Sequence, residues 1–164
     1  MTVTITEPTI DHAEAISTIC AAGWKQTVEG LLSAEYQEEN IAFWYNLHRI
    51  KKDIQAGFYS HIALIDPKVA GVIGGGMTGP GAAEIFVFYV EEDYRYQGIG
   101  RQLLNALTQM QLEKGALEQW VSVQEGNQKG IPFYEARGFL YKGKQEETTS
   151  TGEIQASLRY SREL

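Results

Sequence analysis

One run of eight residues limits what this chain can fold into more than any other feature. Residues 83–90 read AEIFVFYV, and all but one are apolar. A short, nearly continuous apolar run is typical of a strand at the centre of a sheet, covered on both faces. Downstream, apolar residues recur at helical spacing at Ile99, Leu103, Leu107 and Met110. We therefore expect a sheet centred on residues 83–90 and a helix that follows this strand directly.

Six further segments have the composition of strands. They are residues 3–6, 60–66, 68–77, 118–123, 139–145 and 153–161. Asp66 and Pro67 form a turn pair between the second and third strands. The glycine triplet at residues 74–76 lies inside a strand pattern and no helix follows it, so a bulge or a flexible hairpin is favoured over a phosphate-binding loop.

Three further helices are expected. Asp11 is a candidate N-cap for the first helix, and a loop follows it around residues 23–33. Ser33 begins a second helix that carries apolar residues as far as Ile50. A short helix within residues 128–138 ends at Gly138. No repeat or linker interrupts the pattern, so we expect one α/β domain over residues 1–164.

Composition restricts the function classes. Apolar residues make up 43% of the 164 residues, which indicates a globular fold, and no run of about 18 apolar residues predicts a membrane span. The net charge of −7 argues against nucleic-acid binding and mildly favours a cationic partner. Cys20 is the single cysteine, so no disulfide can form within the chain. Together with the absence of a signal peptide pattern, this predicts a cytoplasmic protein.

Two glycines mark the start of the helix that follows the central strand. Gly98 and Gly100 leave the backbone uncovered where the first helical amides have no internal partner, and Arg95 and Arg101 add positive charge. This combination suits a phosphate group. It is not a P-loop, because no Gly-Lys-Ser or Gly-Lys-Thr follows, and it lacks the third glycine of a dinucleotide fingerprint. From these residues alone, a tight helix start with no ligand is equally compatible.

The motif resembles a known family when its surroundings are included. A strand, then Arg-x-x-Gly-x-Gly, then a helix is similar to the acetyl-coenzyme A motif of the GNAT superfamily of N-acetyltransferases, and residues 95–100 read RYQGIG. Residues 121–139, VSVQEGNQKGIPFYEARGF, resemble the family's later segment of strand, Asn, short helix, Phe-Tyr and Gly-Phe. The likeness covers residues 83–139 well and the N-terminal half loosely. Glu92 stands where many members carry proline, a departure that affects only the stiffness of a turn.

The resemblance implies a fold and a cofactor site. It implies a central mixed, mostly antiparallel sheet that is splayed between the fourth and fifth strands and flanked by helices. Amides of residues 96–101 would hold the pyrophosphate of acetyl-coenzyme A, and the free backbone at the end of the fourth strand would pair with the pantetheine arm. The residues implied for the cofactor are Phe88, Tyr89, Val90, Arg95, Tyr96, Gln97, Gly98, Ile99, Gly100, Arg101, Asn127 and Phe133.

The resemblance also implies two proton-transfer residues. Tyr134 occupies the position of the family's tyrosine acid, which protonates the departing sulfur. Glu84 opens the central strand, where some members place the base that deprotonates the amine through water; a carboxylate facing solvent is the competing interpretation. Glu91, Glu92 and Glu125 are fallback bases. Trp24 and Tyr36 lie in a segment similar to the family's acceptor loop, although local packing also explains them.

Several alternatives stay open at this stage. Cys20 is expected to be buried on a helix face, and His12, His48 and His61 have no metal-ligand spacing, so no metal site is expected. The implied activity is transfer of acetyl to a primary amine of a small molecule or protein by direct attack. A non-catalytic acyl-coenzyme A sensor and an interaction domain that kept only the fold are the other candidates. The amine (polyamine, aminoglycoside, amino acid or protein N-terminus) and a homodimeric state are not decided by the sequence.

Overall fold

A computed structural model describes residues 2–164 and contains one seven-stranded sheet. The sheet order is β1-β2-β3-β4-β5-β7-β6. The strands are β1 (Thr4–Thr6), β2 (His61–Ile65), β3 (Lys68–Gly79), β4 (Ala82–Val90), β5 (Glu118–Gln124), β6 (Leu140–Thr148) and β7 (Ile154–Glu163). The helices are α1 (Ala13–Val28), α2 (Ala34–Trp44), α3 (Leu47–Gln55), α4 (Ile99–Glu113) and α5 (Gly130–Glu135). None of the helices within the described residues combines the length and apolar character that a membrane span requires.

The sheet is antiparallel except at one boundary. β4 and β5 are parallel, and only residues 82–85 of β4 pair with residues 118–121 of β5. Beyond Ile85 the two strands separate, while β4 continues to pair with β3 as far as Val90. The predicted fold class, with a splay between the fourth and fifth strands, is confirmed.

A bulge in β4 coincides with the point of separation. Gly74 pairs with Val87 and Gly75 pairs with Ile85, so Phe86 is left over as the extra residue. A side chain at Gly74 would collide with the backbone of Phe58, and one at Gly75 would collide with the backbone of Glu84, so only glycine fits at these two positions. The bulge interpretation of the glycine triplet is therefore confirmed.

Each face of the sheet has its own apolar core. The core on one face is built by α4 and α5 and contains Ile73, Ile85, Leu103, Leu107 and Phe139, among others. On the opposite face, Ile16 and Cys20 of α1 and Ile50 of α3 pack against Val72 of β3 and Val87 of β4. The predicted burial of Cys20 is confirmed.

The helical region before β2 differs from the prediction in three places. α1 does not begin at Asp11, because a 3₁₀ turn, Ile10–His12, precedes it and is closed by Thr9 and His12. α1 also continues through Gly23 to Val28 rather than ending in a loop, because Gly23 gives the ring of Tyr89 room against the helix.

The third difference is a break in the second predicted helix. Ser33 caps α2 as expected, accepting a hydrogen bond from the Tyr36 amide at 3.2 Å. The helix then ends at Trp44 instead of continuing to Ile50. Asn46 starts α3 by accepting a hydrogen bond from the Arg49 amide at 2.8 Å, and an N-cap of this kind favours a new helix over continuation.

Candidate active site

The loop between β4 and α4 exposes the start of a 15-residue helix. Gly98 is the N-cap with φ of +82°, a left-handed conformation that glycine adopts without strain, and its carbonyl accepts the first helical hydrogen bond from Gln102 at 3.1 Å. Tyr96 also has a positive φ of 64° and is 89% exposed. A Cβ atom at Gly98 would have only the Arg101 guanidinium within 4 Å, so no other part of the protein covers the backbone on that side of Gly98.

Arg95 fixes this loop through two hydrogen bonds. Its Nε donates to the Val90 carbonyl at 3.2 Å, and its Nη2 donates to Oε1 of Gln26 on α1 at 2.9 Å. The loop is thus tied both to the end of β4 and to the helix on the opposite face. Of the residues implied for the cofactor, those from Arg95 to Arg101 lie together at the N-terminus of α4, where Tyr96, Gln97 and Arg101 are exposed and Ile99 is buried in the core.

Aromatic rings line the α4 side of the splay. The rings of Phe88 on β4 and Phe133 on α5 meet edge to face, with centroids 5.4 Å apart. A Cβ atom at Gly100 would lie 3.4 Å from the Phe133 ring. Phe133 therefore connects α5 to the start of α4 beside the unpaired half of β4.

Tyr134 lies immediately behind these rings. It is 8% exposed and contacts the rings of Phe88, Phe133 and Phe139 edge to face. Its hydroxyl makes no hydrogen bond within the described residues, and burial raises the pKa of the phenol well above its ordinary value. Tyr134 is thus a protonated donor with no competing partner in the protein.

Tyr89 points to the other face of β4. Its ring packs on Gly23 of α1, and burial raises the pKa of its phenol, with Tyr45 and Cys20 adding to the effect. Among the residues implied for the cofactor, the Tyr89 side chain is therefore a packing residue. Its implied role through the backbone is unaffected by this orientation.

Asn127 has a defined local role. Its Oδ1 accepts hydrogen bonds from the amide of Gly130 at 2.9 Å and from that of Lys129 at 3.3 Å, which shapes the entry into α5. The side chain lies at the open end of the splay, after β5. Its amide nitrogen makes no hydrogen bond within residues 2–164 and stays free to donate.

Glu84 occupies the closed end of the splay, on the face opposite Tyr134. It forms a two-pronged ion pair with Arg159 of β7, at 2.9 Å and 3.0 Å, and both side chains are 20% exposed. The same guanidinium donates to the Ser122 hydroxyl at 2.8 Å and lies 5.1 Å from the Trp120 ring centroid. Glu84 is thus an ion-paired carboxylate that is largely shielded from solvent.

The fallback carboxylates lie in other surroundings. Glu91 has one oxygen 3.5 Å from Lys68 Nζ and one oxygen buried without a partner. Glu92 accepts a hydrogen bond from Gln26 at 3.4 Å, and Glu125 pairs with Lys144 at 2.8 Å. Of the four candidates, Glu84 lies closest in sequence to the point where β4 and β5 part.

The two predicted acceptor residues lie together. The Trp24 and Tyr36 rings meet at a centroid distance of 6.1 Å, and the Tyr36 hydroxyl donates to Oε1 of Gln155 on β7 at 3.0 Å. Burial raises the pKa of Tyr36, and the carboxylates of Glu147, Glu39 and Glu153 raise it further. A hollow of about 220 Å³ lies nearby under the α1–α2 connection, lined by Leu31, Leu32, Gln124, Glu125, Lys144, Glu146, Ile154 and Ala156.

Sequence reasoning missed three residues that define this region. Arg159 was not expected to reach Glu84, Arg137 was not expected beside Phe133, and Glu153 was not expected to meet the α1–α2 connection. The alternation in β7 places Arg159 on the polar face, but only the strand order shows which carboxylate it meets. No local pattern identifies the other two.

Comparison with known proteins agrees with this geometry. Residues 24–139, more than half of the chain, match the model of the acetyltransferase (GNAT) family. The chain is 27% identical to a spermidine N(1)-acetyltransferase of Thermoplasma acidophilum, over 85% of this chain and 89% of that protein. A ribosomal protein bS18-alanine N-acetyltransferase of Escherichia coli is 37% identical over 35% of this chain and 38% of its own.

A solved structure shows the same fold. The PaiA N-acetyltransferase from Thermoplasma acidophilum, in complex with coenzyme A, superposes with a TM-score of 0.82 at 24% identity, over 100% of both chains. The splayed sheet, the glycine loop at the start of α4 and the family match lead to the same conclusion. This chain belongs to the GNAT family and is an acetyl-coenzyme A-dependent N-acetyltransferase.

Proposed function

We propose that this N-acetyltransferase modifies a primary amine of a polyamine, and that Tyr134 and Glu84 carry out its two proton transfers. The observation that carries the choice of acceptor is the aromatic pair Trp24 and Tyr36 with carboxylates around it. Alkylammonium groups bind favourably over aromatic faces, by roughly 0.5–2 kcal/mol, and are attracted to carboxylates. A polyamine has several ammonium groups, so one molecule can contact the aromatic rings and the carboxylates at the same time.

The electrostatics of the acceptor side support a cation. Glu39, Glu147 and Glu153 act together on Tyr36, and the guanidinium of Arg159 on β7 is already paired with the carboxylate of Glu84. The net charge of −7 adds long-range attraction for a polycation. The likeness to a spermidine N(1)-acetyltransferase extends over most of both chains, which supports the same class of acceptor.

The cofactor half of the proposal rests on the open helix start. Amides of residues 96–101 hold the pyrophosphate, because the first turn of α4 has unsatisfied donors and a positive dipole end. Residues 88–90 have no pairing partner on β5, and apart from the Val90 carbonyl, which accepts from Arg95, their free backbone groups bind the pantetheine arm as an added strand. Asn127 holds the arm from the β5 side with its free amide.

The two faces of the splay separate the proton transfers. Glu84 takes the proton of the amine through a water molecule, so that a neutral nitrogen attacks the acetyl carbonyl. Tyr134, on the other face, gives its proton to the sulfur as the carbon–sulfur bond breaks. Because burial keeps the phenol protonated, Tyr134 serves as an acid and not as a base.

A cytoplasmic location also belongs to this proposal. Cys20 is fully buried, and burial raises the pKa of its thiol, so the single cysteine is unreactive and has no disulfide partner in the chain.

The acceptor is tested by measuring thiol release from acetyl-coenzyme A with matched amines. The panel comprises a triamine, a diamine of the same spacing, a monoamine of equal length, an aminoglycoside, an amino acid and a peptide with a free N-terminus. We expect kcat/KM to be highest for the triamine and to fall by about tenfold or more for the monoamine, which lacks the second ammonium. Raising the salt concentration should reduce this preference.

Two results would contradict the proposal in different ways. A peptide or amino acid as the best acceptor would replace the polyamine but keep the enzyme. Tight binding of acetyl-coenzyme A without thiol release for any amine of the panel would exclude all of these acceptors, the polyamine included.

A further inference from the structure

Three arginines on the α4 side of the sheet have no acidic partner. Arg101, Arg137 and Arg162 form no salt bridge with any carboxylate of residues 2–164, whereas Arg49 and Arg159 do. The three are close enough to affect one another. Burial lowers the pKa of Arg137 and the charge of Arg101 lowers it further, and Arg162 is affected in the same way by burial and by Arg137. Uncompensated positive charge is unusual in a protein of net charge −7.

Arg162 is fully used by the protein itself. Its guanidinium donates to Oε1 of Gln119 at 3.0 Å, to the Thr108 hydroxyl at 3.1 Å and to the Arg137 carbonyl at 3.0 Å. All three acceptors are neutral, and together they fasten the end of α5 to α4 and β5. Arg162 therefore has a structural role, and it fixes the backbone from which the Arg137 side chain extends.

Arg137 has donors to spare. Its Nη1 donates to the Phe133 carbonyl at 2.9 Å, and its guanidinium carbon lies 3.8 Å from the Phe133 ring centroid. Its Nε is buried without an acceptor, and its Nη2 makes no hydrogen bond within the described chain. A buried donor without an acceptor is costly, so a small rotation of the guanidinium onto an anion would be favourable.

The position of Arg137 connects it to the cofactor loop. The Arg137 guanidinium lies over the ring of Phe133, and the same ring is next to Gly100 in the first turn of α4. On its other side Arg137 borders a hollow of about 890 Å³, which Asn105, Thr108 and Lys142 also line. This hollow has room for the nucleotide part of a ligand. Glu118 and Glu163 line it too, so any preference for an anion must come from the arginines.

We propose that Arg137, together with Arg101, binds a phosphate group of coenzyme A. This rests on the proposed function, in which residues 96–101 hold the pyrophosphate. Coenzyme A carries a second phosphate, the monoester on the ribose, whose negative charge suits a guanidinium with two free donors. Arg137 thereby extends the cofactor site from the helix start onto α5.

Binding of coenzyme A and of 3′-dephospho-coenzyme A tests the proposal. Both are titrated calorimetrically into the parent protein, Arg137→Gln and Arg137→Lys. We expect Arg137→Gln to weaken coenzyme A binding by roughly ten- to a hundredfold, as expected for one charge-assisted hydrogen bond, and Arg137→Lys to retain part of the affinity. Arg49→Gln is the matched control, because Arg49 also lies over aromatic rings, but on α3. It should leave both affinities unchanged.

The two ligands identify the phosphate. If Arg137→Gln weakens only coenzyme A, and brings it to the level of the dephospho form, the partner is the ribose monoester. If both ligands lose affinity equally, while turnover of S-acetylpantetheine is unchanged, the partner is the pyrophosphate. Both results support the proposal.

Two results overturn it. Equal coenzyme A affinity in the parent and Arg137→Gln removes the contact. S-acetylpantetheine has no phosphate group. If Arg137→Gln lowers turnover of S-acetylpantetheine as much as turnover of acetyl-coenzyme A, Arg137 acts only by holding Phe133 and α5. A parent protein that binds no coenzyme A would instead contradict the proposed function itself.

Discussion

At the scale of single residues, Tyr134 and Glu84 are held in opposite ways. Tyr134 has a hydroxyl without a partner and is surrounded by aromatic rings, so little besides a bound ligand can engage its proton. Glu84 has both oxygens on one guanidinium, so its orientation is fixed before any amine arrives. The proposed acid therefore has no competing partner and the proposed base has a fixed orientation, and both properties favour proton transfer at a defined point.

Replacing Tyr134 with Phe deletes the hydroxyl and keeps the ring contacts. We expect turnover to fall by roughly 10²–10⁴-fold, the range typical of a general acid, with little change in coenzyme A affinity. Steady-state thiol release and calorimetry measure the two effects. Tyr141→Phe is the control, because Tyr141 is an exposed tyrosine on β6, away from the splay. Equal turnover in Tyr134→Phe and the parent would mean that water or solvent protonates the sulfur.

Replacing Glu84 with Gln keeps the shape of the side chain but removes its charge and basicity. We expect most activity with alkyl amines to be lost near neutral pH and partly regained as the pH rises, because more amine is then neutral without help. The measurement is a pH–rate profile of both proteins with one good amine.

A control variant at a second carboxylate distinguishes the loss of a base in Glu84→Gln from the loss of an ion pair. Asp53 pairs with Arg49 on α3 at 3.0 Å, so Asp53→Asn also removes a carboxylate from an arginine but does so far from the splay. It should lower stability slightly and leave turnover unchanged. If Glu84→Gln and the parent give parallel profiles of equal height, the base must be sought at Glu91, Glu92 or Glu125.

At the scale of elements, the turn between β6 and β7 is fastened to the connection between α1 and α2. Glu153 accepts a hydrogen bond from the Ser33 amide at 2.6 Å and another from the Thr151 hydroxyl at 2.7 Å. Gln155 and Tyr36 add the hydrogen bond described above. Segments more than 100 residues apart in sequence are thus joined over the polar face of β5 and β7, next to the proposed acceptor site.

Glu153→Gln should loosen this junction. We expect a several-fold rise in KM for the amine, with coenzyme A affinity unchanged, because the aromatic pair loses its support while the α4 loop is untouched. Glu147→Gln is the matched control: it removes a charge near Tyr36 that makes no hydrogen bond to the α1–α2 connection. Equal rises in KM for both variants would assign the effect to charge and not to the junction.

The stability that this junction contributes depends on pH. The pKa of Glu153 is held below its ordinary value, chiefly by the hydrogen bond with Ser33 and then by that with Thr151. A carboxyl whose pKa is lowered in the folded state stabilises that state above its unfolded pKa, and loses this contribution only as the pH falls through the lowered value. The junction is therefore fully present at neutral pH and is weakened only in acid.

At the scale of the whole molecule, local patterns predicted the elements better than their contacts. Residues 83–90 and the helix starting at Ile99 were predicted from apolar spacing alone, because each has regularly spaced apolar residues that are buried in the core. The splay between β4 and β5 came from the resemblance, since no residue pattern indicates where a parallel pair stops. Gly23 misled the prediction because a glycine that makes room for Tyr89 has the same composition signal as one that ends a helix.

The site shows the same limit. Residues 95–101, which we propose to hold the pyrophosphate, are contiguous in sequence and were therefore predicted together. The pairing of Glu84 with Arg159 joins positions 75 residues apart and depends on strand order, and Arg137 became relevant only through its place over Phe133. Contacts of this kind follow from topology, which local sequence does not contain.

The place of β7 in the sheet has a consequence for biosynthesis. β5 pairs along its whole length with β7 but over only four residues with β4, and β6 has no partner other than β7 within the described residues. At roughly 5–20 residues per second, β5 is synthesised some seconds before β7, its main partner. During this interval the edges of β5 and β6 are open to any other strand, including one on a neighbouring nascent chain. The native pairing of β5 and β6 therefore has to wait until β7 has been synthesised.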